Sequence, residues 1–486
     1  MLYLSLGILL IFTLPSFFIT ETYYELIENV SIWVRNWFGN FYLWLGLFCV
    51  LFIVGVALSP LGRKRLGGKT EKPEHSLWSW VAMLYSAGMG AGILLRAVQE
   101  PVYMKHHPPF QSDVPSRIIA LEYTFYQWGF TPWAFYALFA MIIGYYIFIH
   151  KKKVLVSSAI ENRIRLPIAK NGIDILAVIT TVFGLIGAIG LGTTQINGGL
   201  NHLFDAGFGI KFTIFLTLLI CFLAFLSVWA GVNKGIKVIS RLNIAVTLIL
   251  LAFIFTQSNI TAVITSFGRA TYQYIIDFIP LSIAAGPFNP GKAFLTDWTY
   301  YYWAFWLAWA PFTGIFIARI SRGRTLRSLL LGVMIIPSLG TFFWFSVFGE
   351  SAFQLIDNWG TYKGEFDNVF TSLFIFLRNY PFQGLVNAVS IFLLISFLVT
   401  SVDSAVFVLS MFTDKGSKKP SRKHRLIWSV FIAVFAVAIL ILGNARPDTD
   451  VLQALQKLLI ITSLPFALFM VVMTLIFLMD FQRKRH

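Results

Sequence analysis

An all-α membrane protein that crosses the bilayer twelve times is the fold class this sequence predicts, on three observations. Only 12% of its 486 residues are charged, about half the share found in soluble domains, while 57% are hydrophobic. Apolar runs of about 20 residues recur along the chain, each long enough to cross a hydrocarbon core of about 30 Å as a helix. These runs are continuous, whereas a transmembrane barrel alternates over segments of about ten residues.

The spans fall near 2–20, 41–59, 79–103, 118–149, 173–203, 209–230, 238–256, 297–319, 327–349, 383–412, 426–443 and 455–480. The first resembles a leader peptide but lacks a basic start and a small-residue cleavage site, so it is expected to stay as a helix. The third holds YSAGMGAG, with Gly88, Gly90 and Gly92, and then Arg96 and Glu100. The fourth holds QWGFTPWAFY, the eighth DWTYYYWAFWLAWAPF and the tenth SFLVTSVDSA. Cys49 and Cys221 fall inside spans, so neither a disulfide framework nor a metal cluster is expected. No soluble domain is expected, and the tail after the twelfth span is short.

The net charge of +16 is a topology signal. With the N-terminus inside, 27 of the 38 Lys and Arg lie in six segments on one side: GRKRLGGKTEK, HKKKVLVSSAIENRIRLPIAK, NKGIKVISR, RISRGRTLR, DKGSKKPSRKHR and FQRKRH. That asymmetry follows the positive-inside rule, which puts both termini in the cytoplasm and the chain in the plasma (inner) membrane. The surplus also favours anionic lipid heads, and nucleic acid is not an expected partner.

Enzymatic chemistry finds little support. RKRLGGKT looks like the end of a phosphate-binding loop, but Arg63 stands where its first glycine belongs, and no strand precedes it. His106, His107 and Asp113 in KHHPPFQSD form a tempting metal set, yet they lie in a proline-rich outer loop and read as solvated. No cofactor is expected.

Three features point to transport. Irregular backbone in lipid is tolerated where it lines a cavity, and broken helices near the midplane recur in secondary transporters. Gly88 and Gly92 also fit small-residue helix packing. In the eighth span Trp303, Trp306 and Trp309 share one helical face. With Trp128, Trp133 and Tyr136 of the fourth, they suit cation–π binding of a quaternary ammonium, roughly 0.5–2 kcal/mol per face, or aromatic packing between helices. Ser396, Thr400, Ser401, Asp403 and Ser404 place oxygens inside an apolar helix, suited to sodium or bonded back to their own helix.

With these motifs the chain closely resembles the betaine/choline/carnitine transporter (BCCT) family over nearly its whole length. The resemblance is carried by RLGGKTEKPEHSLWSWVAMLYSAGMGAG, YTFYQWGFTPWAFYAL, GLGTTQINGGLNHLF, DWTYYYWAFWLAWAPFTGIFIARISRGRTLR, WFSVFGESA and VTSVDSA. It implies two leading helices (1–60) and two inverted five-helix repeats of the LeuT type (79–256 and 297–480). Trp128, Trp133, Tyr136 and Trp306 are implied as an aromatic box, with Trp309, Phe312 and Met89 beside it. In sodium-coupled members an ion lies between the glycine break and the tenth span. The matching groups are the carbonyls of Ser86, Met89 and Phe397 and the hydroxyls of Thr400 and Ser401. The implied function is import of a betaine-, choline- or carnitine-like compound by sodium symport, with a sodium-independent exchanger or a non-transporting sensor as alternatives. Family analogy gives a homotrimer.

Some positions depart from the family pattern. Gly187-Ala188-Ile189-Gly190-Leu191-Gly192 lacks hydroxyls that could serve a second cation, and Phe305 stands where tryptophan is usual. The long charged tails linked to osmotic sensing are missing. Arg96 and Gln99 replace an aromatic and a small residue. Arg96 can snorkel outward, pair with Glu100 one turn on, hold a substrate carboxylate, or supply charge in place of a sodium ion.

Overall fold

The computed structural model describes residues 1–68, 70–88, 90–164, 166–230 and 233–483. The first helices are α1 (Leu2–Thr13), α2 (Pro15–Phe18) and α3 (Thr20–Leu58). The third span is split into α4 (Leu77–Gly88), α5 (Ala91–Arg96) and α6 (Gln99–His106), and the fourth into α7 (Ser116–Trp128) and α8 (Phe130–Gly144). There follow α9 (Pro167–Phe204), α10 (Ile210–Ala230), α11 (Asn233–Gln257), α12 (Ile260–Ile276), α13 (Phe278–Ser282) and α14 (Lys292–Leu295). The last are α15 (Tyr301–Ile320), α16 (Leu326–Trp359), α17 (Ser372–Leu377), α18 (Gln383–Thr413), α19 (Arg422–Gly443) and α20 (Val451–Arg483). Among the described residues ten segments are long and apolar enough to cross a membrane. The apolar stretch Leu2–Phe18 and the interrupted third span make up the expected twelve.

Two elements differ from the sequence expectation. The loop expected at 21–40 is helical, because no proline interrupts it, and α3 runs on for 39 residues, about 58 Å at 1.5 Å per residue. The stretch 260–276 forms an amphipathic helix. Val263, Ser266, Ala270 and Tyr274 are its buried face, at the three-to-four spacing of one helical stripe. That face lies on α7 and α16, where the Ser266 hydroxyl donates to Glu350 Oε2 at 2.9 Å.

Packing sorts the bundle into two groups. In the first, α8 lies against α15 and α16, with α4 beside the latter two; in the second, α9, α10, α18 and α19 pack together. The short α5 sits where the groups meet, against α9 and α18. Small residues allow close approach there. A Cβ on Gly184 would stand 3.2 Å from the Ala308 backbone, and one on Gly192 2.8 Å from the Leu398 side chain. In the hydroxyl-free run of α9, Gly187, Gly190 and Gly192 are thus packing positions against Leu455, Val451 and Leu398, while Ala188 faces the cavity.

The basic segments collect on one face. Arg65 pairs with Thr325 in an isolated antiparallel bridge, Arg65 Nη1 donates to Gly323 O at 3.0 Å, and Arg163 pairs with Asp480. Arg324 lies over the Trp80 ring at 4.2 Å, and the Trp80 indole donates to Ser321 Oγ at 2.9 Å. This clasp ties the start of α4 to the α15–α16 turn. Gly323 holds φ +79°, and a Cβ there would stand 2.1 Å from Lys72 O. Gly323→Ala is expected to lower the melting temperature in detergent, since the left-handed backbone alone costs roughly 1–2 kcal/mol with a side chain. Gly268→Ala, in α12 with open space around it, should be neutral or slightly stabilising; equal melting of both variants would refute the clasp's role.

Candidate functional site

Two helix breaks build the site. Between α4 and α5, Gly90 adopts φ −111° and ψ −157°, an extended backbone that precedes the first turn of α5. Between α7 and α8, Gly129 adopts φ −98° and ψ −130°, and a Cβ there would stand 2.5 Å from Phe125 O and 2.7 Å from the Phe342 ring. Buried backbone groups freed by a break need partners, and other helices supply them. The Trp306 indole donates to Gln127 O at 3.2 Å, Thr341 donates to Trp128 O at 3.3 Å, and the Phe130 amide donates to Tyr274 Oη at 3.0 Å. The second break thus positions Trp128 at a helix end and locks Trp306 against it.

The aromatic rings form one connected relay. Trp128 meets Trp306 edge-on with centroids 5.4 Å apart. Trp306 meets Tyr136 at 5.7 Å, and Tyr136 meets Trp133 at 5.7 Å. Phe305 and Phe312 flank Trp309 at 6.4 and 5.4 Å. Trp128, Tyr136, Trp306, Trp309, Phe305 and Phe312 all line a cavity of about 700 Å³, together with Gly90, Ala91 and Gly92. Trp133 is fully buried, stands behind Tyr136, and is not among the lining residues.

More of the lining comes from α18, α9 and α11. Phe397, Thr400, Ser401 and Ser404 of α18, Ala188 of α9 and Asn243 of α11 line the same cavity. The Thr400 hydroxyl donates to Ser396 O at 2.9 Å and Phe397 O at 3.1 Å. Its proton is thus turned inward along the helix, while its oxygen keeps lone pairs for a cation. These neutral oxygens fit a hard monovalent ion. Among the described residues no cluster of His, Cys, Asp or Glu could hold a metal. Ser86 lies in the last turn of α4, and Met89 lies outside the described residues.

The cavity reaches His75, Ser79, Ser240 and Arg241, so it extends toward the face that carries the basic segments. Its other end is shut by a buried stack. Arg96 lies over the Trp298 ring at 4.8 Å, Trp298 stacks on Tyr302 at 6.4 Å, and Tyr302 meets Trp128 at 5.7 Å. Arg96 Nη1 donates to Gln99 Oε1 at 2.7 Å. Arg96 is 5% exposed and is not among the lining residues, so it sits behind the box in this conformation.

Sequence reasoning missed several residues. Asn243 accepts from the Ser396 hydroxyl at 2.7 Å; a lone asparagine in an apolar run was a usable signal. Gln127 acts through its carbonyl, which no side-chain pattern reveals. Glu100, expected from the sequence only as a partner for Arg96, is wholly buried and instead accepts from the Trp128 indole at 3.2 Å and from the Tyr302 hydroxyl. On the closed face Arg117 bridges buried Glu350 at 2.6 Å and Asp357 at 2.9 Å.

A multipass helical bundle in which two helix groups enclose an aromatic cavity open toward one face defines an integral membrane transporter for small solutes. The chain belongs to the BCCT (betaine/carnitine/choline) family of transporters, whose family model matches residues 1–486. It is 37% identical over 458 residues to the glycine betaine transporter OpuD of Bacillus subtilis, covering 92% of this chain and 87% of that one. It is 33% identical over 446 residues to the ectoine/hydroxyectoine transporter of Virgibacillus pantothenticus, covering 90% and 87%. It is 34% identical over 477 residues to the high-affinity choline transport protein of Escherichia coli K12, covering 96% and 69%.

Proposed function

We propose that the protein imports a quaternary-ammonium compound or a related zwitterion by sodium symport with alternating access. The observation that carries this reading is the convergence of Trp128, Tyr136 and Trp306 on a cavity that also holds the glycine break and the α18 hydroxyls. An onium group among three rings gains roughly 0.5–2 kcal/mol from each desolvated face. Relatives named for glycine betaine, choline and ectoine support a class of substrate over any single compound.

Sodium is assigned to the carbonyls of Ser86, Met89 and Phe397 with the hydroxyls of Thr400 and Ser401. The ion then bridges the α4–α5 break, where the groups meet, and α18 of the second group, and so stabilises one relative position of the groups over the other. Such differential binding is what couples an ion to a conformational step. The two groups are read as parts of inverted repeats over 79–256 and 297–480. With the basic face cytoplasmic, the cavity opens inward and the Arg96–Trp298–Tyr302 stack closes the outer path.

Uptake of radiolabelled glycine betaine, choline and carnitine into proteoliposomes, with and without an inward sodium gradient, tests this. Concentrative uptake of at least one compound, dependent on sodium, is expected. Sodium-independent counterflow would replace symport by exchange, and no uptake of any of the three would refute a quaternary-ammonium substrate.

A further inference from the structure

The aromatic box is wired to a buried carboxyl group. Glu100 has no exposed surface, and its Oε2 accepts from both the Trp128 indole N–H, at 3.2 Å, and the Tyr302 hydroxyl. Its Oε1 has no hydrogen-bond partner among the described residues. Neither Glu100 nor Tyr302 lines the cavity, so the carboxylate reaches the substrate space only through the Trp128 ring. Arg96 lies one turn earlier in the sequence. The two make no ion-pair contact: the guanidinium is held by Gln99 and the Trp298 face instead.

We propose that Glu100, in its ionised form, is a positioning and specificity-determining residue, whose negative charge strengthens the hold of Trp128 on a cation and whose effect Arg96 offsets. The inference rests on the substrate reading above. Two physical effects carry it. A hydrogen bond from an indole N–H to a carboxylate pushes electron density into the ring, and the ring face attracts cations through that density. The carboxylate also acts directly, because a charge in a water-poor interior is weakly screened. Arg96 supplies the opposite sign, so the pair sets the local field at the box. A compound with net positive charge feels that field in full. A zwitterion feels the difference between its two ends, because its carboxylate is repelled where its ammonium is attracted.

The test measures binding of choline and glycine betaine to the purified full-length protein by calorimetry at saturating sodium. Glu100→Gln keeps an acceptor for Trp128 and Tyr302 but removes the charge. It is expected to weaken choline about tenfold, the scale of one partly screened interior charge, and betaine by clearly less. Glu100→Asp keeps the charge and should keep the choline-to-betaine ratio of the parent. Arg96→Gln removes the offset and should tighten choline in absolute terms. In Arg96→Gln/Glu100→Gln both charges are gone, and the ratio should return toward that of the parent.

Equal weakening of both compounds by Glu100→Gln would overturn the proposal and leave Glu100 a purely structural anchor. An Arg96→Gln variant that loses betaine with choline unchanged would also overturn it, and would make Arg96 a direct carboxylate ligand. The Arg96→Gln arm reads the same charge balance if Glu100→Gln does not fold. A parent protein that binds neither compound would instead sink the underlying substrate reading.

Discussion

Trp306→Leu is expected to abolish measurable uptake, with kcat/KM falling about a hundredfold or more. Trp306 performs three tasks at once: it faces the cavity, stands edge-on to Trp128, and closes the Gln127 carbonyl freed by the break at Gly129. Leucine removes the π-face, a loss of up to about 2 kcal/mol. It also leaves a buried carbonyl unpaired, which costs roughly 1–3 kcal/mol more, and each 1.4 kcal/mol is tenfold. Trp306→Phe keeps a π-face and loses only the indole donor, so a milder decline of about tenfold is expected. Equal uptake by the Leu variant and the parent would remove Trp306 from the box, and equal loss in Leu and Phe would assign its role to the Gln127 contact alone.

Thr400→Ala/Ser401→Ala is expected to raise the half-saturating sodium concentration at least tenfold while changing thermal stability little. The stability claim follows from geometry, because the Thr400 hydroxyl bonds only to carbonyls of its own helix, at 2.9 and 3.1 Å. Such back-bonds contribute little to a helix that already has its ladder. The sodium claim follows from chemistry, because a desolvated monovalent cation needs its lost water oxygens replaced. Initial uptake rates measured against sodium concentration give the answer. A parallel drop in melting temperature would make the two hydroxyls structural, and an unchanged sodium curve would place the ion elsewhere.

Both predictions depend on groups that belong to opposite sides of the cavity. Trp306 sits on α15, which packs on α8, whereas Thr400 and Ser401 sit on α18, which packs on α10 and α19. Substrate and ion together would therefore tie the two groups to each other, and this is how the proposed symport would couple a solute to its ion.

The box was partly legible. The aromatic runs around Trp128 and Trp306 stand out because Trp, Tyr and Phe crowd short stretches of apolar helix. The glycine break was legible for the same reason, since alternate glycines are costly in a helix. The break at Gly129 was not, because a lone glycine inside a helical pattern is ambiguous until its neighbours are known. Here the neighbour is Phe342, far along the chain, which leaves no room for a Cβ. The separation of Trp133 from the cavity was also hidden, as ring type does not say which ring stands in front. The amphipathic α12 was readable in principle from the spacing of Val263, Ser266, Ala270 and Tyr274.

Composition and hydropathy pattern by themselves determined an all-helical membrane chain and its twelve spans, because hydropathy acts locally and additively along the chain. Tertiary structure alone decided that Arg96 packs on Trp298, that Glu100 reaches Trp128, and that the cavity is open at one end and stacked shut at the other. Those contacts join residues as far apart as 202 positions. They are chosen by which helix faces meet, and helix faces meet according to the shapes of both partners.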